Sequence, residues 1–191
     1  MSSHEALEAA HLIDRLERLV RLGEHGGRLN PAQWEALRYL ARANRFSRTP
    51  AALAAYLAST RGTVSRTLAS LEAKGYVTRL PSARDGRSVD LALTAAAERM
   101  LKRDPLLALA ADIGRAAGGR LPELLEALRG VLRSAIARNR GRAFGACSSC
   151  RHFRARVRPT GPAPHHCALL DEPLSEMDSG AICVEQEPRA A

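Results

Sequence analysis

The sequence predicts a mainly α-helical protein that carries one small β-hairpin. Three observations support this fold class. Only 4% of the 191 residues are aromatic, long stretches repeat their apolar residues at helical spacing, and one short stretch alternates apolar with polar residues. A core with so few aromatic side chains is more readily built from packed helices than from sheet faces. A chain of this length accommodates one ordinary domain and a small appendage.

Capping residues and prolines mark where the helices begin. The first helix is expected over residues 3–23. Asn30-Pro31 and Thr49-Pro50 each place a capping residue before a proline, which is typical of a helix start. From 94 to about 139 the pattern is again helical, with a break at Gly118-Gly119. The first and last of these stretches carry wide leucine stripes, which favour packing against a partner subunit.

The middle of the chain changes from helical to alternating spacing. A short break at Ser59-Thr60 precedes a helix that is expected to run to Lys74 and stop at Gly75. Two strands, 76–80 and 88–93, follow it and are separated by turn-forming residues. Two short helices joined by a tight turn, followed by a hairpin, predict a winged helix-turn-helix that reads DNA.

One face of the second helix of this motif is predicted to be buried, and the other supplies candidate DNA contacts. Val64, Leu68 and Leu71 recur at helical spacing and are expected to face the core. The candidate DNA-binding residues, on this helix and at the hairpin tip, are Arg61, Thr63, Ser65, Arg66, Thr67, Arg84, Asp85 and Arg87. Arginine pairs with guanine through two hydrogen bonds, and hydroxyls suit phosphates. An ordinary amphipathic helix with solvated arginines explains this helix alone; the adjoining hairpin favours DNA binding.

Positive charge is concentrated around this motif. The chain has a formal net charge of +9, and residues 45–103 hold eleven Arg or Lys against four Asp or Glu. Such an excess favours an acidic partner, and nucleic acid is the commonest one. A scattered, solvated surface would give the same total, so the charge supports the motif and does not replace it.

Residues 30–140 resemble the MarR family of winged-helix transcription regulators. The segments that carry the resemblance are 53–57, 63–66, 71–77, 85–88 and 91–94. The resemblance implies a homodimer formed by the terminal helices, with each recognition helix in a major groove and each hairpin in a minor groove. Family members usually repress transcription, and many release DNA on binding a small aromatic effector or on oxidation.

The resemblance also assigns roles to particular residues. Thr63, Ser65 and Arg66 match the recognition-helix positions, and Asp85 and Arg87 match the wing motif. Dimer symmetry then implies double-stranded DNA with a pseudo-palindromic site, whose half-sites lie roughly one helical turn, about 10 bp, apart.

All four cysteines lie in the last quarter of the chain, as Cys147, Cys150, Cys167 and Cys183. The first residues show no export signal, and the longest strongly apolar stretch, Leu106–Ala111, is too short to cross a bilayer. We therefore expect a cytoplasmic protein and no membrane contact. In a reducing compartment four clustered cysteines favour metal ligation over disulfides, although four unrelated thiols in a disordered tail would show the same spacing.

The cysteine spacing favours an iron–sulfur cluster, [4Fe–4S] before other types, over Zn²⁺. Structural zinc sites usually bring two close cysteine pairs, whereas Cys167 and Cys183 are isolated. A CxxC pair followed by Phe153 and two single cysteines is similar to the ligand pattern of high-potential iron–sulfur proteins. Because only Phe144 and Phe153 are near in sequence, the cluster is expected to be exposed and labile, as suits a sensor. His152, His165 and His166 are expected to face solvent and not to bind metal.

Two charge runs flank the cysteines. Residues 138–158 hold seven arginines and no acid, and residues 171–187 hold six acids and no base. The runs can pair with each other, the basic run can contact DNA, or it can lie beside anionic thiolates.

No catalytic signature competes with this interpretation. A phosphate-binding loop, a nucleophile elbow and a zinc-protease motif are all missing from the sequence. An enzyme is therefore not expected.

The sequence predicts a winged-helix domain over 1–140 and a metal-binding tail over 141–191. Our leading hypothesis is a repressor whose cluster senses redox state, oxygen, iron or nitric oxide. One alternative is the same regulator with structural zinc and a small aromatic effector. Another is an iron–sulfur redox or scaffold protein that uses the winged helix for protein contacts.

Overall fold

The structure is a computed structural model that describes residues 3–24, 27–82, 88–158 and 160–189. These residues form helices with two small antiparallel sheets, as the sequence predicts for the first sheet. We call the part of the chain before the C-terminal unit, up to residue 140, the body. Its helices are α1 (Ser3–Glu24), α2 (Pro31–Arg42), α3 (Pro50–Tyr56), α4 (Arg61–Ala73), α5 (Ala95–Leu101), α6 (Leu106–Ala117) and α7 (Leu121–Arg138). The hairpin strands between α4 and α5 are β1 (Val77–Pro81) and β2 (Val89–Leu93).

The predicted helix starts are confirmed, and each has a side-chain cap. The Asn30 side chain accepts a hydrogen bond from the Gln33 backbone N–H at 2.9 Å, and the Gln33 side chain accepts one from the Asn30 N–H at 3.1 Å. Thr49, Thr60 and Thr94 cap α3, α4 and α5 in the same way. These bonds satisfy backbone donors that the first helical turn leaves without partners.

The body packs α2, α3, α4 and the hairpin around a core made mainly of leucine. Its fully buried members include Leu37, Leu40, Leu53, Leu68, Leu71 and Leu91. The predicted burial of Val64, Leu68 and Leu71 on α4 is therefore confirmed. Burying each such side chain contributes about 1.5–3 kcal/mol, so this face fixes the rotation of α4 about its own axis.

The hairpin starts one residue later on each strand than the alternating pattern predicts. Tyr76 instead belongs to the C-terminal cap of α4, because its N–H donates to the Leu71 carbonyl at 2.9 Å while Gly75 adopts φ of +73°. The strands then pair from Val77 opposite Leu93 to Pro81 opposite Val89. The hairpin tip, residues 83–87, lies outside the described residues, and with it the predicted contacts Arg84, Asp85 and Arg87.

The terminal helices leave their apolar faces exposed in the single chain. The exposed side chains on α1, α6 and α7 are Leu7, Leu12, Ile13, Leu16, Leu19, Leu22, Leu106, Leu107, Leu121, Leu124, Leu125, Leu128, Val131 and Leu132. Large apolar side chains exposed in this number on three helices are typical of a protein interface. Within the described part of the chain, no helix is long and apolar enough to cross a membrane.

The last fifty residues form a small unit that the sequence pattern does not predict. Its strands are β3 (Phe153–Arg154), β4 (His165–Cys167) and β5 (Glu172–Leu174), in the order β3-β4-β5, followed by α8 (Glu176–Gly180). Strands of two or three residues are too short to show alternation in a sequence. A bridge between Ala43 and Ile182 joins this unit to the body.

A buried ion network holds α1, α2 and the turn before α6 together. The Arg38 guanidinium lies 2.7 Å from a Glu24 carboxylate oxygen and 2.7 Å from an Asp104 carboxylate oxygen. Both carboxylates are buried, with side-chain exposures of 2% and 7%. Each therefore depends on Arg38, because an unpaired charge in such a place is strongly unfavourable.

We predict that Arg38→Met lowers the free energy of unfolding by about 3–5 kcal/mol, because it leaves two buried carboxylates unpaired. Urea-induced unfolding at one protein concentration measures this loss. The control is Arg18→Met, which removes an exposed ion pair with Asp14 and should cost less than about 1 kcal/mol. Equal small losses in the two variants would contradict the structural role of Arg38.

Candidate nucleic-acid interface and metal centre

The predicted DNA contacts on α4 all lie outside the buried stripe of this helix, which is formed by Val64, Leu68 and Leu71. Arg61, Thr63, Ser65 and Arg66 are exposed, and Thr67 is half-buried. We call these five residues the reading face. Since the opposite face of α4 is fixed in the leucine core, the reading face points away from the body at a defined angle.

The residues of the reading face differ in whether their polar groups already have hydrogen-bond or ion-pair partners. The Thr63 hydroxyl lies 2.9 Å from the Thr60 hydroxyl at the helix cap, and the Thr67 hydroxyl donates to the Thr63 carbonyl at 3.1 Å. Among the described residues, Arg61 and Arg66 have no ion-pair partner. By contrast, Arg79 on β1 pairs with Glu72 at 3.2 Å. Within the reading face, the two arginines are therefore the charged groups available to an external anion.

The four cysteines, which we call the cysteine site, line one cavity of about 20 Å³. They come from separate places in the fold: Cys147 and Cys150 flank a 3₁₀ turn, Cys167 ends β4, and Cys183 follows α8. Three of them are buried, and Cys167 is half-buried. The other residues that line the cavity are His152, Phe153, Leu169, Leu174 and Glu185.

The cysteine side chains are close together but do not form a finished ion site. No three of the His, Cys, Asp or Glu side chains in the described residues are arranged to hold a single metal ion. A cavity of about 20 Å³ is roughly the space that one water-sized sphere needs.

Cys147 and Cys183 are coupled inside this cavity. Hydrogen bonds from Cys147, Asn44, Ser47 and the Glu185 backbone outweigh burial and lower the pKa of Cys183 to about 6. The same bond to Cys183, together with burial, raises the pKa of Cys147. The opposite directions of the two pKa shifts follow from the hydrogen bond between these thiols, in which Cys147 is the donor.

The aromatic shielding differs from the prediction. Phe153 lines the cavity as expected, and Phe46, from the body, packs against the cysteines. Phe144 instead belongs to the main core, where its ring makes edge contacts with Tyr39 and Tyr56 at 6.0 and 5.2 Å. The expectation of an exposed site was wrong for three of the four cysteines, because the body covers a side that the sequence left open.

The histidines are also less exposed than predicted. His165 is buried at 6% exposure, its Nδ1 accepts a hydrogen bond from the Arg156 N–H at 3.1 Å, and its ring packs on Phe153. It is a packed core residue, so the solvent-facing prediction was wrong. His152 is partly buried and lines the cysteine cavity. His166 is partly buried, with Nε2 3.1 Å from Asp171.

Of the three explanations for the charge runs, the structure favours pairing between them. Arg142 lies 3.3 Å from Glu185, and Arg151 lies 2.8 Å from Glu187. Arg45, which precedes α3, adds an ion pair with Asp178 at 3.3 Å. Sequence reasoning missed Arg45 and its neighbours, because nothing in the local pattern links them to residues more than a hundred positions away.

We predict an order of thiol reactivity from burial. In reduced, metal-free protein, iodoacetamide should modify Cys167 first, because the other three thiols are buried. Mass spectrometry of peptides from partly modified protein measures the order, and urea-unfolded protein serves as the control in which all four react. Native labelling of Cys147 or Cys183 ahead of Cys167 would contradict the packing described above.

The sequence model of the MarR family matches residues 29–88, from just before α2 to just before β2. FabT of Streptococcus pneumoniae in complex with DNA is similar in structure, at 20% identity and a TM-score of 0.54, covering 69% of this chain and 95% of that chain. The S. aureus MepR–DNA complex is similar at 17% identity and a TM-score of 0.53, with 68% of this chain and 95% of that chain covered.

The transcriptional regulator BldR from Sulfolobus solfataricus is similar at 23% identity and a TM-score of 0.51, with 70% of this chain and 99% of that chain covered. No curated protein matches the chain in sequence. The family match ends before the cysteine site, so it concerns the body alone. The chain has the winged-helix fold of MarR-type regulators.

Proposed function

We propose that the protein is a non-enzymatic, DNA-binding transcription regulator, acting as a repressor. The observation that carries this proposal is the reading face, where Arg61 and Arg66 are exposed and lack ion-pair partners among the described residues. FabT and MepR, which share the fold, have been solved in complex with DNA. In the proposed complex α4 enters the major groove, where an arginine can donate two hydrogen bonds to guanine.

The proposed active form is a homodimer. The exposed leucines of α1, α6 and α7 supply an apolar surface that a second copy can cover. Two-fold symmetry then places two copies of α4 on one side of the duplex, on a pseudo-palindromic site with half-sites about 10 bp apart. The hairpin tips, with Arg84 and Arg87, would lie in the flanking minor grooves.

We further propose that the cysteine site binds an iron–sulfur cluster, with [4Fe–4S] as the expected type, and senses redox state, oxygen, iron or nitric oxide. The donor set fits, because thiolates are the ligands of such clusters and four of them line one cavity. When bound, the cluster would supply iron–sulfur bonds that these agents attack. The chain itself contributes Phe46, Phe153 and Leu174, which pack against the cysteines.

Zinc is the second candidate, because four thiolates also form the ligand shell of structural zinc sites. With structural zinc the regulator would need a separate effector, for which a small aromatic molecule is the expected class.

We predict that Arg66→Ala weakens binding to a selected palindromic DNA site by about 1–3 kcal/mol, roughly 5- to 150-fold, if Arg66 contacts a base. If it contacts a phosphate instead, the salt slope of the affinity should fall by about 1. Fluorescence anisotropy at several salt concentrations separates the two cases.

The matched control for this experiment is Arg115→Ala on α6, which also removes one exposed positive charge. It should leave both the affinity and the salt slope near their original values. No salt-dependent DNA binding by the unmodified protein would contradict the proposed function and favour a role in protein contacts.

We predict that anaerobically purified protein contains iron and acid-labile sulfide, and that Cys150→Ser lowers both without loss of the helical circular dichroism. The serine removes a thiolate ligand but leaves the leucine core intact. The control is Ser148→Ala, a neighbouring exposed position that should change neither. One zinc per chain and no sulfide, with unfolding of Cys150→Ser, would overturn the cluster in favour of structural zinc.

A further inference from the structure

A short segment of the body contacts the cysteine site directly. Residues 43–48, which we call the junction segment, connect α2 to Thr49, the cap of α3. The Asn44 N–H donates to the Ile182 carbonyl at 2.9 Å, and the Ile182 N–H donates to the Arg42 carbonyl at 2.9 Å. The residue next to Cys183 is thus held by backbone bonds on both sides.

Two buried side chains of the junction segment also reach the sulfurs. The Asn44 amide donates to the Cys147 sulfur at 3.3 Å across 103 positions of sequence. The Ser47 hydroxyl accepts from the Val184 N–H at 2.9 Å, and both Asn44 and Ser47 hydrogen-bond to Cys183. Their exposures are 2% and 0%, so water cannot replace these bonds.

The Asn44 side chain directs its amide N–H toward the sulfurs, and this orientation is unfavourable for its amide oxygen. Its Oδ1 is buried without a hydrogen-bond partner among the described residues. Buried polar atoms of this kind are rare in folded proteins. An amide in this position therefore serves as an N–H donor to the Cys147 sulfur and ties that sulfur to the junction segment.

The same segment holds the DNA-reading part of the body. The Ser47 carbonyl accepts from the Tyr39 hydroxyl at 2.6 Å, which fixes the segment on α2. The Arg48 carbonyl accepts from the Leu91 N–H of β2 at 2.6 Å, and the next residue caps α3. A shift of the junction segment would therefore move both the start of α3 and the base of the hairpin.

Resting on the proposed function, we propose that the junction segment couples the cysteine site to the DNA-reading elements, and that Asn44 and Ser47 are its positioning residues. Ligation by both thiols would replace the hydrogen bond between Cys147 and Cys183, so the two sulfurs would change position relative to each other. They can move only with Asn44 and Ser47 or by breaking buried bonds. Loaded and metal-free protein would therefore favour different positions of the junction segment, which is the condition for a switch.

The ion pairs at the edge of the interface are not the coupling contacts. Arg45 bonds to Asp178 and Glu172, but its side chain is 48% exposed. Exposed ion pairs of this type contribute little and are screened by salt. The coupling should therefore persist at high salt and depend on the buried bonds.

Amide hydrogen–deuterium exchange on the full chain tests this inference. Protein purified anaerobically is compared with the same protein stripped by EDTA and ferricyanide and then reduced. We expect amides of residues 44–57 to change their exchange rate by at least about 5-fold, the lower end of typical allosteric coupling. Amides of α7 should keep their exchange rates, because the proposed coupling runs through the junction segment and does not involve α7.

Two variants separate coupling from general destabilisation. Ser47→Ala and Asn44→Ala should each abolish most of the difference between the loaded and stripped proteins, while Ser148→Ala keeps it. Asn44→Ala should also shift the visible absorption of the loaded protein, or of its Co²⁺ form if the site takes zinc, because a hydrogen bond to a ligand sulfur is lost. A mere packing role would leave that absorption unchanged.

Identical exchange of residues 44–57 in the loaded and stripped wild-type protein would overturn the inference. The inference would also be overturned if both variants kept the same difference in amide exchange between loaded and stripped protein as the wild type. These failures are distinct from failure of the proposed function. DNA affinity that responds to stripping without a change at 44–57 would leave the sensor standing and reject the junction segment. A change in amide exchange at residues 44–57 without any response in DNA affinity would keep the contact between the junction segment and the cysteine site but reject the sensor.

Discussion

The structure depends on a segment of six residues that must satisfy two cores at once. The junction segment carries buried hydrogen bonds to Tyr39 and Leu91 on one side and to Ile182 and Cys147 on the other. Buried polar groups are costly when they lose their partners, so neither side can rearrange alone. The C-terminal unit is thereby part of the folded body and not a loosely attached tail.

The leucine core explains why the reading face is where it is. Val64, Leu68 and Leu71 can be buried together in only one rotation of α4, and that rotation turns Arg61 and Arg66 outward. The fold thus produces a charged surface as a consequence of apolar packing. The exposed leucines of the terminal helices have no such explanation within one chain, and a second copy is the partner that we propose for them.

Local chemistry was readable from the sequence, and contacts between distant segments were not. Asn30, Thr49 and Thr60 were identified as helix starts because a cap and the backbone it satisfies are three residues apart. The burial of His165 was mistaken because β4 is too short to show a pattern. Asn44 gave no signal at all, since its partner Cys147 lies 103 positions away. The convergence of the four cysteines was predicted from their chemistry, but the body residues that cover them were not.

The most direct test of the account is the DNA affinity of one preparation before and after the cysteine site is emptied. The DNA is a site that the protein itself selects from genomic fragments, and the salt concentration is held constant. If the cysteine site controls DNA binding, the loaded and stripped forms differ in affinity by at least about 5-fold. Equal affinities, with both forms folded and dimeric, would contradict the claim that the cysteine site controls DNA binding.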